Sequence, residues 1–287
     1  MIDALGLRRP FAPRRGHPAA TLILTLLLSL LAANPALGAA TAPPAGPTSA
    51  LASPTPASMA ASILGWLNRD RGTAGLRPLR RWPALQALAD ERAAALAASG
   101  TLSHQAAGGD PGAALTAHGI DWLSSGEAIG ETSYAWGSPA AANLYGMWKA
   151  SPEHHAILFS GTFNYVGIGI ARASDGSTWA SILFSESADH TPPVARNGTL
   201  TRSGTSVTFR WAGSDPLLQT HTAGLRAFNV EYRVNGGAWH LIRSRTTMTW
   251  LGLTRRTPGY AYSFRVQAVD RRGNLSAWTA EKRVRIP

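Results

Sequence analysis

At His190-Thr191-Pro192-Pro193 the chain changes character. Adjacent prolines disfavour helix and strand alike. Upstream, apolar residues recur at helical spacing. Downstream they fall into short runs rich in β-branched and aromatic residues, separated by turn residues. The paired prolines and the change of pattern mark a boundary, so the chain is expected to build two domains, 58–187 and 190–287. The spacing predicts a helix from about Ser58 to Arg71, with Ile63, Leu64 and Leu67 on one face. A second runs from Pro83, a favoured first-turn residue, to Ser99, where Gly100 caps it. Residues 105–125 read as loop with a short helix. A third helix starts near Ser138-Pro139 and ends at Ser151-Pro152. Tyr165 to Ala171 and Thr178 to Phe184 read as a hairpin turning at Asp175-Gly176. Helices first and a hairpin last imply a layered α+β domain. Beyond the prolines, Ser206 to Trp211, Ala227 to Val234, Trp239 to Arg243, Tyr260 to Val269 and Lys282 to Ile286 read as strands of a β-sandwich.

Residues 1–39 read as an export signal. Arg8, Arg9, Arg14 and Arg15 precede an apolar run from Thr21 to Ala33, and small residues follow at Ala36-Leu37-Gly38-Ala39-Ala40. The run is shorter than the roughly 20 residues of a spanning helix, and the chain holds no cysteine for a lipid anchor or a disulfide. Residues 40–57, rich in Pro, Ala, Ser and Thr, read as a tether that cannot bury enough surface to order itself. The expectation is a secreted, extracytoplasmic protein with no membrane span in its mature part.

Charge is unevenly divided. Residues 57–186 carry eight Lys/Arg against ten Asp/Glu, whereas residues 190–287 carry fifteen against four. A field of that sign attracts polyanions such as teichoic or uronic polymers, lipopolysaccharide, acidic phospholipid or released DNA. The other reading is a basic face that only keeps the domain in solution. No specific nucleic-acid recognition is expected.

Three polar residues punctuate the first domain: His104 in Leu102-Ser103-His104, Glu127 in Gly126-Glu127-Ala128-Ile129, and His154 in Ser151-Pro152-Glu153-His154. Two imidazoles and a carboxylate can hold a divalent metal or move protons. At arbitrary spacings such residues more often lie on a surface. His118 reads as exposed, Asp90 and Glu91 as a solvated helix face, and Trp122, Trp136 and Trp148 as core or cleft wall.

The stretch 64–104 resembles the opening of the bacterial branch of the CAP superfamily, the cysteine-rich secretory, antigen 5 and pathogenesis-related (SCP-like) proteins. The matching residues include Leu67, Asn68, Arg71, Leu76, Leu79, Leu85, Leu88, Ala89, Arg92, Ala93, Leu96, Ser103 and His104. Gly126-Glu127-Ala128-Ile129-Gly130 stands where the family has GENIA. Trp148, Ser151, Pro152, His154, Leu158, Phe163 and Val166-Gly167-Ile168-Gly169 follow in register. The resemblance implies an α/β/α sandwich with a shallow cleft. It implies His104, Glu127 and His154 as ligand-binding residues, with His104 and His154 as the pair that would hold a divalent cation such as zinc. The family's second glutamate falls at Ser151, so Ser151, Glu131 and Glu153 stay open as the fourth site residue. His155 replaces the family's arginine beside the site.

Residues 228–242 and 252–279 resemble a fibronectin type III domain, an immunoglobulin-like all-β sandwich. Trp211, Tyr232, Trp239, Tyr262, Phe264, Val266, Ala268 and Trp278 fit its inward positions. Three functional readings stay open. One is a non-catalytic binding protein for an envelope-derived or small amphipathic ligand, held at a surface by the basic sandwich. The alternative is a metal-assisted, peptidase-like hydrolase with Glu127 as general base. The last is an adhesive protein whose first domain is only a scaffold. No HExxH helix or nucleophile elbow favours the hydrolase.

Overall fold

A computed structural model describes residues 53–287. The expected export signal, and the tether up to residue 52, lie outside the described residues. The tether is shorter than expected, because α1 (Pro56–Thr73) begins inside it. Thr55 caps that helix by accepting from the Ser58 backbone N–H at 3.1 Å, and Ser58 Oγ accepts from the Thr55 N–H at 2.9 Å. This reciprocal box satisfies donors the first turn leaves free. Pro56 sits where its missing N–H costs nothing.

The first domain has three layers. Its central sheet has the order β1-β3-β4-β2, from β1 (Arg80–Arg81), β2 (Ser124–Thr132), β3 (Tyr165–Arg172) and β4 (Thr178–Glu186). One face packs on α1, α4 (Ser138–Ala150) and α5 (Pro152–Leu158) through Ile63, Leu67, Leu144, Trp148, Ile168 and Ile182. The other packs on α2 (Pro83–Ser99) and α3 (Pro111–Ala117) through Leu85, Leu88, Leu115 and Leu183. The loop expected over 105–125 thus contains a true helix, capped by Asp110, whose Oδ1 accepts from the Ala113 N–H at 2.8 Å. It also runs into the edge strand β2.

Helix α2 lies directly on the backbone of β3. A Cβ at Gly169 would fall 1.9 Å from the Ala89 carbonyl oxygen, and one at Gly167 would fall 2.2 Å from that of Leu85. These glycines allow the helix to reach the sheet. Ser151-Pro152 does not simply end α4. Ser151 closes α4 and caps α5, a helix the sequence reading did not anticipate. Arg71 fixes the far end of α5. Its buried guanidinium donates Nη1 to the carbonyls of Leu158 at 2.8 Å and Ser160 at 2.9 Å. Burial alone lowers the Arg71 pKa to about 10.

The second domain is a sandwich of a four-stranded sheet, β11-β10-β7-β8, and a three-stranded one, β5-β6-β9. The strands are β5 (Val194–Ser203), β6 (Ser206–Ser214), β7 (Leu225–Val234), β8 (His240–Thr246), β9 (Trp250–Leu253), β10 (Ala261–Asp270) and β11 (Lys282–Arg285). Strands β5 and β9 lack a clear alternation and were not expected. Phe209, Trp211, Phe228, Tyr262, Phe264 and Val266 fill the core. The Tyr262 hydroxyl accepts from the Thr257 N–H at 3.1 Å, closing the corner before β10. Trp239 and Trp278 do not point inward as expected. They stack on Arg265, which alternates with the inward Phe264 and Val266, and so belong to the outer face.

Polar contacts join the two domains. Asp189 accepts from the Thr191 and Ala223 N–H groups, both at 2.8 Å, and Asn274 Nδ2 donates to the Asp189 carbonyl at 2.9 Å. Oxygens of Asp189, Asp215 and Asp270 lie within 4.8 Å of one another. Burial raises the Asp215 pKa. The Gly224 N–H acts in the opposite direction, and the charges of Asp189 and Asp270 raise it further. A raised carboxyl pKa means that the folded state holds the proton more tightly, so stability falls as pH rises through that range.

Two outcomes follow from this packing. Gly169→Ala is expected to push α2 off the sheet and destabilise the fold by about 3 kcal/mol in denaturant titration. Asp215→Asn keeps the acceptor for Gly224 and removes one charge from the trio. In metal-free buffer at neutral pH it is expected to raise Tm by about 2 °C, with the gain vanishing on acidification; calorimetry across pH checks both.

Candidate functional site

Glu127 lies on β2, the edge strand, on the face turned toward α2. Its side chain is fully buried. Both oxygens are occupied. Oε1 accepts from Arg92 Nε at 2.6 Å and Ser181 Oγ at 2.7 Å, and Oε2 accepts from Arg92 Nη2 at 2.6 Å. His104 Nδ1 approaches that same Oε2 at 2.7 Å. Arg92 comes from the middle of α2, 2% exposed, and also donates Nη2 to the Gly109 carbonyl at 2.9 Å. A two-pronged guanidinium–carboxylate pair of this kind is among the strongest contacts a protein interior makes. Burial pushes the Glu127 carboxyl up. The Arg92, His104 and Ser181 donors together outweigh burial, so its pKa is lowered and the group is a carboxylate.

An ionised acceptor fixes its partner. His104 must present Nδ1–H to Glu127, so Nε2 is the nitrogen turned away from the carboxylate and, in the neutral ring, the one with a free lone pair. The ring sits in the turn after α2 with 46% of its side chain exposed. His154 stands in the first turn of α5, half-buried, and the Ser151 hydroxyl receives its backbone N–H. Burial lowers the His154 pKa; Glu153 opposes that, and the nearby charge of His104 adds to it. The two imidazoles are therefore close enough to feel each other, with α5 on one side of the sheet and the His104 turn on the other, at the free edge of β2.

The open fourth position resolves differently for each candidate. Ser151 Oγ faces the α5 backbone as a cap. Glu131 shares the Glu127 face of β2 but lies four residues on, about 13 Å away. Glu153 is exposed and influences His154 only through its charge. His155 stacks on Phe159 with ring centroids 4.4 Å apart. Around the histidines the rim is apolar in part, with Leu102 52% exposed. Sequence reasoning missed Arg92 and Ser181 as members of the site. Arg92 stood inside the family pattern but was counted only as a helix position.

Among the described residues, the group of three carboxylate or imidazole ligand atoms within 4.8 Å of one another is Asp189, Asp215 and Asp270; His104, Glu127 and His154 do not form such a group. His104 and His154 would offer a cation two nitrogens, with Glu127 already occupied. A catalytic zinc usually has three protein ligands, so the donor set fits a two-histidine site completed by water rather than that arrangement.

The model of the CAP family, the cysteine-rich secretory protein family, matches residues 64–184. Residues 64–184 are a CAP domain. The family's name speaks of cysteine, and this chain has none. The CAP domain is similar to an outer surface protein from Borrelia burgdorferi, at 17% identity over 45% of this chain and 92% of that one, with a TM-score of 0.41. It is also similar to an extracellular protein containing an SCP domain from Bacillus anthracis, at 22% identity and a TM-score of 0.37. That match covers 45% of this chain and 40% of the Bacillus protein, so the chain spans less than half of that relative. The C-terminal sandwich is similar to a human fibronectin type III domain, at 22% identity over 36% of this chain and 85% of that one, with a TM-score of 0.30. No curated protein matches the chain.

Removing the guanidinium tests the CAP site directly. Arg92→Met leaves a buried carboxylate without its cation and is expected to cost about 3–5 kcal/mol. Arg92→Met/Glu127→Gln, with no charge left unpaired, is expected to recover much of that loss in urea denaturation.

Proposed function

We propose that this protein acts outside the cytoplasm as a non-catalytic binding protein. In this reading the CAP cleft takes an envelope-derived or small amphipathic ligand, and the basic sandwich holds the chain at an anionic surface. The observation that carries the reading is the state of Glu127. A general base needs an oxygen free for a water or a substrate proton. Both Glu127 oxygens are instead occupied by Arg92, Ser181 and His104. What remains for a ligand is an open edge with two imidazoles and the exposed Leu102 beside them, a surface suited to an amphiphile with a polar head. A divalent cation such as zinc would bind there through His104 and His154 with water in its other positions.

Secretion is supported by the arginine-led apolar run before residue 40. Among the described residues no helix is long and apolar enough to cross a membrane. The attachment half is supported by charge. Of the fifteen basic side chains in 190–287, Arg233 and Arg265 pair with carboxylates, Glu281 and Glu231. The domain's two other acids, Asp215 and Asp270, lie in the junction trio. The remaining cations keep their field.

The cleft reading is tested by titrating the protein with a single-chain anionic amphiphile, lysophosphatidylglycerol, while following the histidine ring resonances by NMR. His104 and His154 are expected to shift together, and His104→Ala/His154→Ala to weaken binding about tenfold. Saturable binding that ignores the double variant would remove the cleft from the function. Turnover of a peptide library that is lost in the same variant would favour the hydrolase instead.

A further inference from the structure

Both outward faces of the C-terminal sandwich carry tryptophan and arginine, but in opposite states. On the four-stranded face these groups satisfy one another. Arg265 lies 4.3 Å from the Trp239 ring centre and 4.8 Å from that of Trp278, and it pairs with Glu231 at 2.6 Å. Arg233 lies 4.6 Å from Trp239 and pairs with Glu281. Around Arg233 and Arg265 the rings, cations and acids satisfy one another, so the indoles there are covered, while Arg283 and Arg285 of β11 stand exposed at that sheet's edge without a neighbouring free ring.

The three-stranded face has the same residue types without those partners. Arg210 of β6 and Trp250 of β9 are direct cross-strand neighbours. Arg196 of β5 opposes Ala212 of β6, one outward position along from Arg210. Both arginines are exposed, and the ion pairs and ring–cation contacts of this domain involve neither. The Trp250 ring lies along its own strand above Gly252, 3.2 Å from where a Cβ would stand, and is 45% exposed. Thr208, opposite Gly252, completes a low floor beside it. The result is a flat tract with an indole at one end and two unpaired guanidinium groups leading away from it. From Trp250 to Arg196 the tract crosses two inter-strand gaps, about 10 Å.

We propose that this face binds an acidic polysaccharide of the uronic-acid class. The C–H face of one sugar ring would lie on the Trp250 indole. Carboxylates of neighbouring sugars would meet Arg210 and Arg196 in the two-pronged geometry that a planar guanidinium favours. A chain of sugars advances by about the distance between adjacent strands, so successive carboxylates fall near successive strands. The inference rests on reading the basic sandwich as an attachment module, and it supplies the partner and the residues. A tract with only two or three strong contacts gives weak binding per site, suited to holding a protein on a repetitive polymer.

The test is calorimetric titration of the full chain with a short oligogalacturonate at low salt. Neutral cello-oligosaccharide and phosphatidylglycerol vesicles serve as comparisons. Arg196→Gln/Arg210→Gln and Trp250→Ala are each expected to weaken oligouronate binding about tenfold. Arg272→Gln/Arg285→Gln, which removes the same charge elsewhere, is expected to change it by no more than about twofold. All these positions are exposed, and an unchanged Tm confirms that each variant is folded. Equal weakening by the control pair would overturn this face while leaving diffuse attachment intact. Vesicle binding that depends on Trp250, with no oligouronate binding, would reassign the face to a membrane and overturn the proposal. Failure to hold any polyanion at low salt would remove the attachment reading itself.

Discussion

The CAP domain depends on one buried ion pair. Arg92 reaches from α2 through the layer boundary to Glu127 on the edge strand β2. Neither charge could be buried alone without a cost of several kcal/mol. Together, with Ser181 and the Gly109 carbonyl, they bind helix, edge strand, β4 and the turn before α3. The pair also sets the chemistry above it. Because Glu127 stays ionised, His104 is held by Nδ1 and shows Nε2 outward. The three residues that look like a catalytic set in sequence therefore divide into a buried carboxylate, Glu127, held by Arg92, and two imidazoles, His104 and His154.

The imidazole pair is assembled from opposite sides of the sheet. His104 arrives on the turn after α2. His154 arrives on α5, a short helix anchored at its start by the Ser151 cap and at its end by Arg71. Both stand beside β2, an outer strand of that sheet. A site beside an outer strand stays open to solvent and does not by itself exclude water.

In the C-terminal sandwich the charge excess acquires a direction only once the faces are compared. Composition gives fifteen cations against four acids for 190–287. It does not show that Arg233 and Arg265 are held between tryptophans and glutamates on one face, while Arg196 and Arg210 stand free on the other. The expectation that Trp239 and Trp278 point inward failed for the same reason. A tryptophan in a strand region can pack inward or cover an arginine outside, and residue type alone does not distinguish the two.

Much of the architecture was legible because it rests on local rules. The helical spacing of Leu85, Leu88 and Leu96, the Asp175-Gly176 turn and the break at Pro192-Pro193 each constrain the backbone within a few residues. The joined motifs around His104, Glu127 and His154 pointed to the CAP domain. Elements without a local rule were missed: the short β1, the edge strand β2 that carries Glu127, α5 beyond a proline, and the strands β5 and β9. The site was half legible. Sequence could place two histidines and a carboxylate in one family pattern. Only the fold could decide that Glu127 meets Arg92, 35 residues away, because burial, partner and protonation are set by what packs around a side chain and not by its neighbours in the chain.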